Sequence, residues 1–179
     1  WRCMFALALY QQQIGQVLQA DQLPQMHDDM PADVYISAGR LAQLQQRNID
    51  AKAAYQHVLA LPKADAGRMY EHSQANLGLA LLAKEQGNKA LALAYSEKVL
   101  VLSQQAGFPM LAAHAYLLQG KVSRDMSKLD KALHIYQALH DLRGQHDSLS
   151  ALLILAEEQG DKHAVQRWLD FKQGLEKAK

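Results

Sequence analysis

Two stretches of this chain repeat one spacing of an aromatic, a glycine, an alanine and a second aromatic. From Tyr35, Gly39 lies 4 residues on, Ala51 16, Tyr55 20 and Val58 23. From Tyr116, the residues Gly120, Ala132, Tyr136 and Leu139 stand at the same offsets. Between them Asn76 opens a third copy through Ala80, Ala92, Ser96 and Val99, 41 residues after Tyr35 and 40 before Tyr116. A weaker fourth copy starts near Leu149 and runs through Leu153, Gly160, Ala164 and Trp168. A short unit recurring at a near-constant period cannot bury its apolar face alone. Neighbouring units must stack to complete each other's core.

Within each unit the apolar residues recur at three and four, the helical period. Gly39 and Gly120 suit points where two helix axes approach closely, and Ala51 and Ala132 serve the second helix in the same way. Tyr35, Tyr55, Tyr116 and Tyr136 then fill the spaces between pairs. Gln86-Gly87-Asn88 and Gln159-Gly160-Asp161 each put a glycine at one helix end and a capping residue at the next start. Ser127-Lys128-Leu129-Asp130 reads as a capping box, and Pro62 and Pro109 punctuate the ends of second helices. The resulting map has helix pairs at 32–45 and 49–61, 67–86 and 89–106, 109–126 and 129–141, and 145–159 and 162–177. A further helix is expected over 2–20, then a loop from Asp21 to Pro31 containing Asp28-Asp29. The domain reading is an N-terminal helix and loop over 1–31, then one continuous array of four repeats over 32–179. With 49% hydrophobic residues the chain can bury a real core.

Several function classes are disfavoured. The net charge is +1 and no dense Lys/Arg run occurs; the nearest cluster, Lys172 to Lys179, contains Glu176. Direct nucleic-acid binding by this chain is therefore not expected. No apolar run approaches a membrane span, and Gln11-Gln12-Gln13 interrupts the apolar start too soon for a secretory signal. A cytoplasmic location is the expectation. The single cysteine, Cys3, excludes an internal disulfide and reads as a packing residue. None of the eight histidines has a second histidine four residues away, so no metal site is expected. Glu157-Glu158 is an adjacent pair that diverges on a helix, Asp28-Asp29 is read as a solvated pair, and no glycine-rich phosphate loop occurs. We expect no enzyme, no catalytic residues and no cofactor. The chain opens at Trp1 rather than Met, so it is read as a piece of a longer protein. Trp1, Met4, Phe5 and Leu7 form an apolar face suited to packing on the first repeat, on a missing neighbour or on another copy of the chain in a homo-oligomer.

The pattern resembles the tetratricopeptide repeat over residues 32 to about 177. Gln159-Gly160-Asp161 and the run from Tyr55 to Pro62 look much like stretches of that motif. The usual period is about 34 residues. Units nearer 40, with long helices and a loop such as Ser103-Gln104-Gln105-Ala106-Gly107, are more similar to the variant in MalT-like bacterial regulators and Rap-type peptide receptors. The resemblance implies an all-α, right-handed superhelical solenoid of antiparallel helix pairs. It implies a protein- or peptide-binding domain serving as a regulatory or scaffolding part of a larger bacterial protein. The alternative it implies is a domain sensing a small-molecule effector in a MalT-like transcription regulator.

In the resembled family the first helix of each pair lines a concave groove. Positions one, five and eight after the leading aromatic then face it. These are Ile36, Arg40 and Gln43 in the first unit, and Leu117, Lys121 and Arg124 in the third, with His114 nearby. In the second unit Asn76 or Leu77, and Leu81, are candidates. Arg40, Lys121 and Arg124 would make the groove mildly basic over an apolar floor, suited to an acidic or carboxylate-ended peptide. The paired Lys and Asn of the family's carboxylate clamp are not evident.

Overall fold

The computed structural model describes residues 2–13, 15, 30–62 and 66–177. Among these the chain is all-helical, with no strand. Its helices are α1 (Arg2–Gln13), α2 (Ala32–Leu44), α3 (Asn48–Ala60), α4 (Ala66–Glu85), α5 (Lys89–Ala106), α6 (Pro109–Ser123), α7 (Met126–Ala138), α8 (Leu142–Gln159) and α9 (Lys162–Lys177). The continuation of the first helix to residue 20, and the loop with Asp28-Asp29, lie outside the described residues. So do Trp1 and the side chains of Cys3 and Phe5.

Four turns define the pairs α2/α3, α4/α5, α6/α7 and α8/α9, and their hydrogen bonds are alike. Arg47, Asn88, Asp125 and Asp161 each donate a backbone N–H to a carbonyl five residues back, on Ala42, Ala83, Gly120 and Ala156, at 2.8, 2.8, 3.0 and 3.0 Å. The residue before each donor is left-handed: Gln46, Gly87, Arg124 and Gly160 have φ of 60, 74, 58 and 70°. This is the helix-ending geometry that satisfies orphaned carbonyls. In three of the turns the next helix is capped by the same residue that donated. Asn88 accepts from the Leu91 N–H at 3.1 Å, Asp125 from Ser127 at 2.9 Å, and Asp161 from Ala164 at 3.0 Å.

These bonds correct the register. Ala42, Ala83, Gly120 and Ala156 are equivalent, so the units are 41, 37 and 36 residues apart. The match of Gly120 to Gly39 is displaced by three residues. Three residues is nearly one helical turn and preserves the buried face, so apolar spacing alone cannot separate the two registers. The same displacement explains the boundary errors: α6 ends at Ser123, α7 starts at Met126 and α8 at Leu142. Asp125 is the cap of α7, and Ser127 sits inside the helix, so no capping box opens there. Ser103 to Ala106 are the last turn of α5, and only Gly107, at φ 74°, leaves it. Pro109 occupies the first turn of α6 as expected.

Each helix packs on its neighbours in sequence. The other helix–helix contacts among the described residues join α2 to α4, α4 to α6, and α6 to α8. Among the described residues the backbones of the odd helices α3, α5, α7 and α9 do not approach one another closely. The row therefore crowds on the side of the even helices, which form its inner face. Cores lie both within pairs and between them. Tyr55, fully buried, enters a gap left by Gly39 on α2 and Gly78 on α4; a Cβ there would come within 2.6 and 2.3 Å of its ring. Tyr136, also fully buried, enters a gap at Gly144 on α8, where a Cβ would stand 2.3 Å away. Gly120 makes room for Leu129, whose Cδ2 would be 2.6 Å from an added Cβ.

Candidate functional site

The even helices end in one neighbourhood, and two adjoining cavities open there. The larger, of about 310 Å³, lies between α6 and α8. Gly120, Leu129, Ala151, Ile154 and Leu155 give it an apolar floor, and Lys121, Arg124, Asp147 and Glu158 stand around it. The smaller, of about 250 Å³, is bounded by Lys84, Gly87 and Lys89 from the α4–α5 turn and by Lys121, Val122 and Arg124 from the end of α6. Lys121 and Arg124 line both.

The local fold puts them there. Lys84 and Lys121 sit one residue after the equivalent Ala83 and Gly120, so both point from the last helical turn of a first helix. Arg124 is the left-handed residue that ends α6. Its guanidinium bonds the Glu158 carboxylate of α8 across the cavity mouth, an exposed ion pair. The left-handed conformation costs a non-glycine residue about 1–2 kcal/mol, and Gly87 and Gly160 occupy the same position in two other turns. Burial lowers the Lys121 pKa; Asp147 opposes that shift, and Lys84 reinforces it by like-charge repulsion.

Nearer the middle of the row, His114 lies edge-on to Tyr136, with ring centroids 5.7 Å apart. Burial holds its pKa below the ordinary histidine value; Asp141 and Asp147 oppose the shift, and Arg40 adds to it. Arg40 on α2 is thus near enough to act on the charge of His114. One turn further along α2, Gln43 donates to Glu85 at 2.9 Å and accepts from the Tyr55 hydroxyl at 3.4 Å, tying the end of α2 to the end of α4. Burial pushes the Tyr55 hydroxyl up to about 12, with Arg40 opposing and Glu85 reinforcing.

The eight residues selected from the sequence separate into groups. Lys121 and Arg124 come together on the two cavities. Arg40 is exposed on the inner side but lines neither cavity. His114 and Gln43 are partly buried along the row. Ile36, at 2% exposure, is a core residue and not a groove floor, because α1, α3 and α4 all pack on α2. Asn76 is likewise buried and donates to the His72 carbonyl at 2.8 Å. Leu117 is partly buried against the core clusters built on Leu133 and Tyr136. The three-residue displacement accounts for Leu117: in the turn register it matches Gly39, a core position, and not Ile36.

Sequence reasoning missed Lys84, Lys89, Asp147, Ile154 and Glu158. Lys84 and Lys121 are 37 residues apart, so the 40-residue register hid their equivalence. The α8 residues fall in the weaker fourth copy, although α8 forms one wall of the larger cavity. Among the described residues no group of three or more His, Cys, Asp or Glu could hold a metal, and no helix is long and apolar enough to cross a membrane. Comparison of the chain with family models, curated proteins and solved structures finds no match.

Proposed function

We propose that this chain is a protein- or peptide-binding repeat domain of tetratricopeptide type, a right-handed superhelix whose inner face takes an extended segment of a partner. The carrying observation is the larger cavity at the α6–α8 end of the inner row. It joins an apolar floor at Leu129, Ile154 and Leu155 to charged groups at Lys121, Arg124, Asp147 and Glu158. An apolar side chain of the partner enters the cavity, and a flanking carboxylate reaches Lys121 and Arg124. Charge-assisted hydrogen bonds of this kind contribute roughly 1.5–3 kcal/mol each. The larger cavity shares Lys121 and Arg124 with the lysine-lined one, and two adjoining recesses suit a chain segment better than a single small effector. A regulatory or scaffolding role in the bacterial cytoplasm fits such a domain.

Photo-crosslinking tests the reading. A benzoylphenylalanine at Ile154, exposed on the inner row, is compared with one at Ile49, exposed on α3 of the outer row. We expect Ile154 to crosslink one defined segment with an apolar residue beside a carboxylate, and Ile49 to give none. Equal labelling from both, or labelling from Ile49 alone, would move the binding surface elsewhere.

A further inference from the structure

The smaller cavity has a composition that the peptide reading does not require. Lys84, Lys89, Lys121 and Arg124 surround it, and among the described residues no carboxylate lines it. Arg124 is engaged by Glu158 from the side of the larger cavity. Lys84, Lys89 and Lys121 form no ion pair with any described residue. These lysines come from three helices, α4, α5 and α6, so helical periodicity did not bring them together. Two of them stand in the last turns of α4 and α6, where helix carbonyl ends carry partial negative charge. That charge offsets part of their mutual repulsion. Lys89 is the first residue of α5, where the partial positive charge of a helix start works against a lysine.

We infer that this notch, enclosed by Lys84, Lys89, Lys121 and Arg124, is a binding site for a phosphate monoester. Charge favours a dianion in the full notch over the single carboxylate that Lys121 and Arg124 alone could take. Three ammonium groups around one −1 group would leave a surplus of two, whereas a phosphate monoester carries about −1.5 to −2 and three acceptor oxygens. Ammonium heads are compact donors that can each take one oxygen of a tetrahedral anion, whereas a planar carboxylate is better matched by a guanidinium fork. The notch opens beside the apolar cavity and shares Lys121 and Arg124 with it. A phosphorylated side chain next to an apolar one would therefore fill both, and this part rests on the peptide reading above.

Two titrations of the full chain, followed by amide NMR at constant ionic strength, test the site and its carrier separately. In the first, inorganic phosphate is added, with acetate as the matched anion. The Gly87 and Val122 amides should shift saturably with phosphate and not with acetate. Lys84→Gln/Lys89→Gln should abolish the shift, and Lys52→Gln on α3 should leave it intact. Linear shifts, equal shifts with acetate, or shifts that survive the double substitution overturn the site and leave those lysines serving the helix ends alone. In the second, a short leucine-flanked phosphoserine peptide is compared with its serine counterpart. At least tenfold tighter binding than free phosphate, with added shifts at Ala151 and Ile154, supports a phosphorylated peptide. Equal affinity of peptide and free phosphate would uphold the anion site, assign it to a small phosphorylated molecule, and count against the peptide reading.

Discussion

The first and third helix pairs solve one packing problem with the large residue moved. In α2/α3, Tyr55 is the large partner and Gly39 the small one, while Ala42 and Ala51 are both small. In α6/α7 the equivalents of Gly39 and Tyr55 are Leu117 and Leu133, and the equivalents of Ala42 and Ala51 are Gly120 and Leu129. The volume removed from one contact reappears at the next, as close packing at near-constant density demands. The junction to the following pair repeats the exchange. Val99 and Leu111 share one core at the start of α6, and at the start of α8 Tyr136, the equivalent of Val99, fills the gap at Gly144. The two tyrosines therefore aim differently. Tyr55 reaches Gln43 near the end of α2, and Tyr136 meets His114 in the first half of α6.

Removing either ring should cost most. Tyr55→Ala and Tyr136→Ala should each destabilise by about 3–5 kcal/mol in denaturant unfolding, the range for a large buried aromatic. A loss below 1 kcal/mol at either would mean that the ring does not hold its junction.

The compensation can be tested by transplanting one pair's solution into the other. Gly39→Leu alone should overpack the first pair by about 1–3 kcal/mol, and Gly120→Leu should do the same in the third. Adding Tyr55→Leu to Gly39→Leu recreates the Leu117–Leu133 contact and should recover most of the loss. A double variant no better than the sum of its parts would contradict the register defined by the turn hydrogen bonds.

Acid should act through His114, which has no counterpart in the first pair. Above about pH 6.5 its ring is neutral in both the folded and unfolded chain. As the pH falls below that value the unfolded chain takes up the proton first, because burial keeps the folded pKa lower. Stability is then lost progressively until the folded pKa is passed. Melting curves at pH 7.5 and pH 5 should show a smaller acid loss for His114→Gln than for the parent. Equal losses would place the acid sensitivity elsewhere.

The smallest difference concerns the hydroxyls. Tyr55 has Gln43 as acceptor, and Tyr136 has no hydrogen-bonding partner among the described residues. Tyr55→Phe should cost about 0.5–1.5 kcal/mol, and Tyr136→Phe should be neutral or slightly stabilising. Chemical unfolding of the two single variants decides it.

Helix content and pairing were legible because Gly87-Asn88 and Gly160-Asp161 carry both halves of a helix–helix turn in their side chains and backbone. The third turn hid because Arg124 occupies the left-handed position without being glycine. Without that marker, the match of Tyr116 to Tyr35 pulled the register by three residues. Ile36 and Asn76 were misplaced for another reason. Their exposure depends on α1, α3 and α4 closing over α2, or on α2, α3, α5 and α6 closing over α4, and those long-range contacts leave no periodic trace. Lys121 and Arg124 were found because two residues three positions apart at one helix end stay together in either register.

The central claim is that the inner row at the end of α6 binds the partner. It is tested most directly by the affinity of the segment crosslinked at Ile154 for the parent and for Lys121→Glu/Arg124→Glu. Both side chains are exposed, and the exposed Arg124–Glu158 pair contributes only about 0–1 kcal/mol. The double reversal should therefore melt within a few degrees of the parent. It should bind at least tenfold more weakly at low salt, with the gap narrowing as salt rises. Unchanged affinity in a variant that melts like the parent would contradict the account and direct attention to the outer helices or the exposed face of α1.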